Sequence, residues 1–253
     1  MSTGTRIADA LPHDVRLSAS FVRLLRSVIV ILLPFVLLIG AIRLIATDAY
    51  LAFEYGRADF PPDRFGFDTA QRLAYASANL RYVREGLSID ALAGQRLGSA
   101  PLYNDRELKH MQDVQRVYQA VWFGWMIALN VVLLAAFALV WRRDTRPALA
   151  AGLKRGGLLT AGLVAGVGVL AVVAWQLWFV AFHQVFFQPG TWVFNISDTL
   201  IRLFPEKFWF DTALMLAGLS LVSGLLIALI GWRLQRRVQP VLSTIPLSIS
   251  DKE

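Results

Sequence analysis

The sequence predicts an all-α, polytopic membrane protein with four transmembrane helices. Three observations carry that prediction. Hydrophobic residues make up 56% of the 253 positions and charged residues only 17%, with a mean hydropathy of +0.52. The apolar residues gather in four blocks of about 20 residues, enough at about 1.5 Å per residue to cross roughly 30 Å of hydrocarbon. Arginines crowd the short segments that flank those blocks, as membrane topology demands.

Span one is expected over 27–47, from Ser27 to Thr47. Pro34 is placed to kink it, and Arg43 lies near enough to its end to snorkel its guanidinium to the headgroups. No small-x-small cleavage site follows, which predicts an uncleaved anchor. Span two is expected over 120–140, with a lone Asn130. Span three follows over 158–182, where Gly162 and Gly166 form a small-xxx-small surface for close helix packing. Span four is expected over 213–232, completing a membrane domain of 27–240.

Orientation follows from the short basic segments. Arg6, Arg16, Arg23 and Arg26 precede span one, Arg142, Arg143, Arg146, Lys154 and Arg155 join spans two and three, and Arg233, Arg236 and Arg237 follow span four. All three segments belong in the cytoplasm by the positive-inside rule. The tails 1–26 and 241–253 are therefore expected inside, with His13 in the first of them. Both tails are polar and lack an apolar stripe, so flexibility is expected in the first dozen residues and from Val241 onward. The segments 48–117 and 183–211 are expected outside.

The first outer segment is expected to fold as a small helical lobe. Phe60-Pro61-Pro62-Asp63 predicts a rigid turn, and Asp68 with Gln71 predicts a capping box opening a helix that Gly86 ends. In that helix Leu73, Ala76, Leu80 and Val83 form the apolar stripe, with Arg72 and Arg81 off it. Asn104 with Glu107 predicts a second helix start, and nothing up to Val140 forces a break, so span two is expected to project outward as one helix. The outer loop 183–211 is dense in Phe and Trp, which suits a membrane interface and equally a slot for acyl chains. Pro189-Gly190 turns it, Asp198 starts a short helix, and Pro205 introduces span four.

Several functions are excluded or disfavoured at this level. With no cysteine there is no disulfide, no thiolate metal site and no cysteine nucleophile. The net charge of +7 accompanies no nucleic-acid-binding motif and is accounted for by topology. Spans two to four carry no deep charge that would serve an ion or solute pathway. What remains is the placement of His110 just before span two and His183 just after span three, at one membrane face and near the depth of lipid esters. Paired imidazoles there point to chemistry on a lipid.

Phe53-Glu54-Tyr55, the run Asp59 to Phe67, the run Glu107 to Val114, and the stretch from Phe182-His183-Gln184 through Trp192 and Asp198-Thr199-Leu200 to Phe204-Pro205-Glu206 together resemble a four-span bacterial membrane family. That family includes the lipoprotein intramolecular transacylases. The resemblance implies a protein of the bacterial cytoplasmic membrane. It also implies that an acyl chain moves from the glycerol of a diacylglyceryl-cysteine lipoprotein to the α-amine of the same cysteine. His110 and His183 match the two functional histidines of the family, and no cofactor is implied.

The residues suit such a transfer. The attacking amine must lose a proton, the carbonyl oxygen must be stabilised, and the leaving oxygen must gain a proton. His183 is expected as base and His110 as its partner, stabilising the oxyanion or protonating the leaving oxygen, an assignment open to reversal. Asp113 or Glu107 is a candidate to orient His110, and Arg64, Arg72 or Arg81 to face the tetrahedral intermediate. Glu54 and Tyr55 are expected to line the same cleft. Phe186, Phe187, Trp192 and Phe194 are expected to form the acyl slot. Two other classes keep the same residues: a metal-dependent lipid hydrolase built on His110, Asp113 and His183, and a non-enzymatic lipid-binding scaffold. The partners expected are the bilayer and the lipoprotein; the oligomeric state is open.

Overall fold

In the computed structural model, which describes residues 17–238, four helices are long and apolar enough to cross a membrane. The protein is a multi-pass membrane protein. The two tail segments discussed above, including His13 and the stretch from Val241, lie outside the described residues, apart from the helical part of the first.

Helix α1 (Ala19–Ile45) begins earlier than Ser27 because the Ser18 hydroxyl accepts from the Phe21 amide and supplies an N-cap. Pro34 lies inside it. The chain breaks at Ala46, and the Thr47 hydroxyl caps a short helix α2 (Asp48–Tyr55). The lobe helix α3 (Thr69–Glu85) has the capping box of Asp68 and Gln71 and ends at Gly86, whose φ of 68° is left-handed. After α4 (Asp90–Ala93) comes a hairpin of β1 (Arg96–Leu97) and β2 (Ala100–Pro101), a minor addition to an all-α plan. Helix α5 (Asp105–Trp141) runs unbroken from the Asn104–Glu107 capping box through span two.

Span three departs from expectation. Helix α6 (Arg146–Val173) alone is long and apolar enough to cross, and a separate helix α7 (Trp175–Phe186) follows it, the two meeting at Ala174 with φ −130° and ψ 48°. The Ala174 amide still donates to Leu170 and its carbonyl accepts from Trp178, so the ladder bends without being lost. Trp175 holds the start of α7 edge-on to Phe210, at 5.2 Å, which redirects the chain without proline or glycine. Helix α8 (Thr199–Leu203) follows Asp198, and α9 (Glu206–Val238) forms span four after Pro205.

In the bundle α6 packs against α1 and α9, and α5 packs against α1. The close approach is not at Gly162 and Gly166, where an added Cβ would meet nothing within 4 Å. It lies nearer the basic end: a Cβ on Gly157 would collide with the backbone of Gly224 and Ala228, and one on Gly231 with the backbone of Lys154. Glycine is required there because two backbones touch, and van der Waals contact rather than water exclusion joins helices in lipid.

The lobe has its own core. Tyr82, Leu92, Leu102, Tyr103, Met111 and Leu203 are buried together, so α3, α5 and α8 share one apolar centre. Each such side chain contributes about 1.5–3 kcal/mol on burial. The buried face of α3 is Arg72, Ala76, Asn79, Tyr82 and Val83. Arg72 thus lies on the packed face and not off it. Aromatic rings admit its guanidinium, which sits 5.2 Å from the Tyr55 ring and 4.9 Å from that of Phe60 and donates to the Pro61 carbonyl.

Candidate active site

Helix α5 has 37 residues and is about 55 Å long, far more than the hydrocarbon needs, so its first turns stand within the lobe. His110 is in those turns and is buried. His183 is in the last turn of α7. The two rings face each other with centroids 6.3 Å apart and planes inclined by 17°. That separation puts the edges of both imidazoles within reach of one substrate head group.

Aromatic side chains enclose the pair. Phe187 is 4.8 Å from the His110 ring and 5.4 Å from that of His183. Phe194 stands edge-on to His110 at 5.3 Å, and Trp192 packs on His183 at 5.0 Å. Phe186 is exposed and packs on Phe182 at 4.9 Å. Three of the four expected slot residues therefore border the imidazoles, and Phe186 lies outside that ring.

The hydrogen bonds distinguish the two histidines. His183 Nδ1 lies 2.7 Å from the Phe179 carbonyl, which can only accept, so Nδ1 carries the proton and Nε2 keeps its lone pair. Burial pushes the His183 pKa below the ordinary histidine value, opposed by the bond to Phe179. His110 Nδ1 is buried without a protein partner.

The expected supporting residues are placed otherwise. Glu107 Oε2 accepts from the Asn104 amide at 2.8 Å and its Oε1 from the Leu200 amide at 2.7 Å. It staples α8 to the start of α5 instead of holding His110. Asp113, one turn from His110, accepts from Arg116 at 2.8 Å through Oδ1, while its Oδ2 is buried without a partner. Arg64 and Arg81 are exposed. Tyr55 donates to the Leu203 carbonyl and braces α2 on α8. Glu54 is buried (1% exposed) and lies 3.6 Å from Arg57. Desolvation and the neighbouring Asp211 carboxyl push its pKa up to about 7. Arg57 also pairs with Asp211 at 3.4 Å, and Lys207 with Asp211 at 2.7 Å, so Glu54 belongs to an ionic bridge between α2 and α9.

Sequence reasoning did not assign Asp198 a partner. Its carboxylate accepts from Asn104 at 3.2 Å, Arg106 at 3.1 Å and the Asn195 amide at 2.8 Å. Arg106 lies over Phe194 at 5.7 Å, so this clamp fixes the aromatic loop against His110. Likewise Arg202 forms a buried pair with Asp63 at 2.9 Å and covers Phe67. The sequence marked Asp198 only as a helix start; its alternation with Asn104 and Arg106 has no periodic signature.

Among the described residues, no group of three His, Cys, Asp or Glu side chains gathers to hold a metal ion. His110, Asp113 and His183 thus do not form the ligand set that the hydrolase alternative needs. A four-span bundle with two facing imidazoles in an aromatic enclosure at one end defines a multi-pass membrane protein with a paired-histidine site. The family model for the lipoprotein intramolecular transacylase Lit matches residues 27–209, and the chain belongs to that family. An uncharacterised protein of Aquifex aeolicus (strain VF5) is 31% identical over 210 residues, covering 83% of this chain and 94% of the relative. The fold is similar to the membrane-integral lipoprotein intramolecular transacylase Lit of Bacillus cereus, with a TM-score of 0.73 at 17% identity over 87% of this chain and 98% of that one. A histidine-to-alanine variant of that protein aligns with a TM-score of 0.68 at 16% identity, over 86% and 95% of the two chains.

Proposed function

We propose that this protein transfers an acyl chain within a bacterial lipoprotein, from the second glycerol oxygen of its diacylglyceryl cysteine to the α-amine of that cysteine. The single observation that carries this is the facing imidazole pair, with the His183 proton held on Nδ1 and its Nε2 left basic. His183 accepts the amine proton as the nitrogen attacks the ester carbon, and His110 returns a proton to the departing glycerol oxygen. Amine and ester belong to one molecule, so proximity is supplied by the substrate and no enzyme nucleophile is needed.

Phe187, Trp192 and Phe194 wall the acyl slot beside the imidazoles, with Phe186 at its lipid-facing margin. Asp113 biases His110 electrostatically from one turn away. Glu54 and Tyr55 brace the lobe on α8 and α9 and keep the enclosure closed. The basic segments orient both termini toward the cytoplasm, which puts the lobe and the histidines on the extracytoplasmic face of the cytoplasmic membrane.

The test is expression in a bacterium whose lipoproteins carry a diacylglyceryl cysteine with a free amine. Mass and fragment spectra are expected to show one acyl chain relocated from glycerol to nitrogen. His110→Ala and His183→Ala are each expected to reduce this at least about 100-fold. Unchanged acyl positions with the wild-type chain present in the membrane refute the assignment.

A further inference from the structure

We propose that the indole N–H of Trp192 is the donor that holds the ester carbonyl oxygen as it becomes negative, making Trp192 a catalytic residue as well as part of the acyl wall. The inference rests on the transacylase assignment above and supplies the group that assignment lacks.

The cations expected to serve this purpose are committed or remote. Arg64 and Arg81 are exposed, Arg72 is bound to the Pro61 carbonyl between two rings, Arg202 is paired with Asp63, and Arg106 with Asp198. The donor beside the imidazoles must therefore be neutral. Trp192 packs on His183 at 5.0 Å, and its Nε1 is buried without a protein partner. An indole N–H can only donate, and a buried donor left unmatched is costly unless something in the working cycle meets it. The position is also fixed beforehand. Gly190, with φ 85°, completes a turn in which the Thr191 amide and hydroxyl both donate to the Gln188 carbonyl, immediately before Trp192. At the other end Asp198 holds the Asn195 amide. A donor fixed before the charge develops stabilises it without reorganising, and an apolar enclosure strengthens the bond.

In the step proposed, the amine nitrogen bonds to the acyl carbon, the carbonyl π pair moves to oxygen, and Trp192 Nε1–H hydrogen-bonds that oxyanion without transferring its proton. The amine proton passes to His183 Nε2. Collapse re-forms the carbonyl, breaks the bond to the glycerol oxygen, and leaves that oxygen protonated by His110. His183 then passes the proton it took to His110, so both imidazoles end neutral, and an amide and a free glycerol hydroxyl result.

The experiment compares wild type, Trp192→Phe and a variant with benzothienylalanine at position 192, in which sulfur replaces the N–H of the same bicyclic frame. Each is assayed on a diacylglyceryl lipopeptide in proteoliposomes. Both variants are expected to lose about 100-fold in kcat with KM little changed. The benzothienyl variant is decisive because it keeps the packing on His183 even if Trp192→Phe folds poorly. An active wild type whose benzothienyl variant keeps full kcat overturns this inference alone. A wild type that leaves the lipopeptide unchanged overturns the transacylase assignment and this inference with it.

Discussion

Truncating Glu107 tests whether that carboxylate is a staple of the lobe or a partner of His110. Its two oxygens accept from the Asn104 amide at 2.8 Å and the Leu200 amide at 2.7 Å, and the side chain is 1% exposed. In Glu107→Ala the Leu200 amide becomes a buried donor with no acceptor, at a cost of about 1–3 kcal/mol. The Asn104 amide is at an exposed helix start where water reaches it, so losing half of that capping box costs about 1 kcal/mol. The sum is about 2–4 kcal/mol, which corresponds to a melting temperature lower by roughly 5–10 °C for a chain of this size. Glu107→Gln keeps one acceptor oxygen and is expected to lose about half as much. Fluorimetric melting in detergent measures the total, and hydrogen exchange locates it. Amides of α8 and the loop 187–198 are expected to lose protection while α6 and α9 keep theirs. An alanine variant with wild-type melting and protection refutes the staple. One that also loses activity without loosening the loop returns Glu107 to the role of orienting His110.

Two further outcomes follow from the geometry. Because burial holds the His183 pKa below its ordinary 6.5, the base of the proposed transfer stays unprotonated as pH falls to that value, and its acid limb in kcat/KM is expected below pH 6.5, separate from the limb set by the substrate α-amine; a limb above 6.5 in the proteoliposome assay that does not move when the substrate amine pKa is changed contradicts the His183 environment. In the membrane bundle, Gly157→Leu forces α6 and α9 apart and is expected to destabilise by at least about 1–3 kcal/mol, whereas Gly162→Leu, with open space, is expected to change stability by less than about 0.5 kcal/mol. Melting of the two variants side by side checks both expectations.

Local signals in this sequence were accurate where the structure is local. The Asp68–Gln71 and Asn104–Glu107 boxes, the Gly86 stop and the unbroken run through span two each depend on residues within a few turns of one another, and each is present. The glycine surface is not used within the chain, for a related reason. Gly162 and Gly166 fit a packing motif, but whether a small residue meets another backbone depends on the crossing point of two helices. That point is fixed here by Gly157, Gly224 and Gly231, which no single four-residue spacing connects. The bend at Ala174 was also hidden, since hydropathy is the same on both sides and the redirecting contact, Trp175 on Phe210, joins separate helices.

The polar groups show the same division more sharply. A charged residue reveals its type in the sequence but not its partner, and burial makes the partner decisive. Leu200 lies 93 positions from Glu107, and Arg202 lies 139 from Asp63, yet each pair is bonded in the lobe. Both carboxylates are therefore consumed in holding the loop that carries Trp192 and Phe194, and Asp198 joins them through Arg106. With the nearby charges spent on scaffolding, the surroundings of His110 and His183 are left to Phe179, Phe182, Phe187, Phe194 and Trp192, and to Asp113 one turn away. An acyl chain is better received by such walls than by arginines, which would bring water and counter-ions with them. The arginines singled out from the sequence as oxyanion donors lie elsewhere; under the proposed transfer, a slot that excludes water from an ester must obtain its polarity from few, neutral and fixed groups.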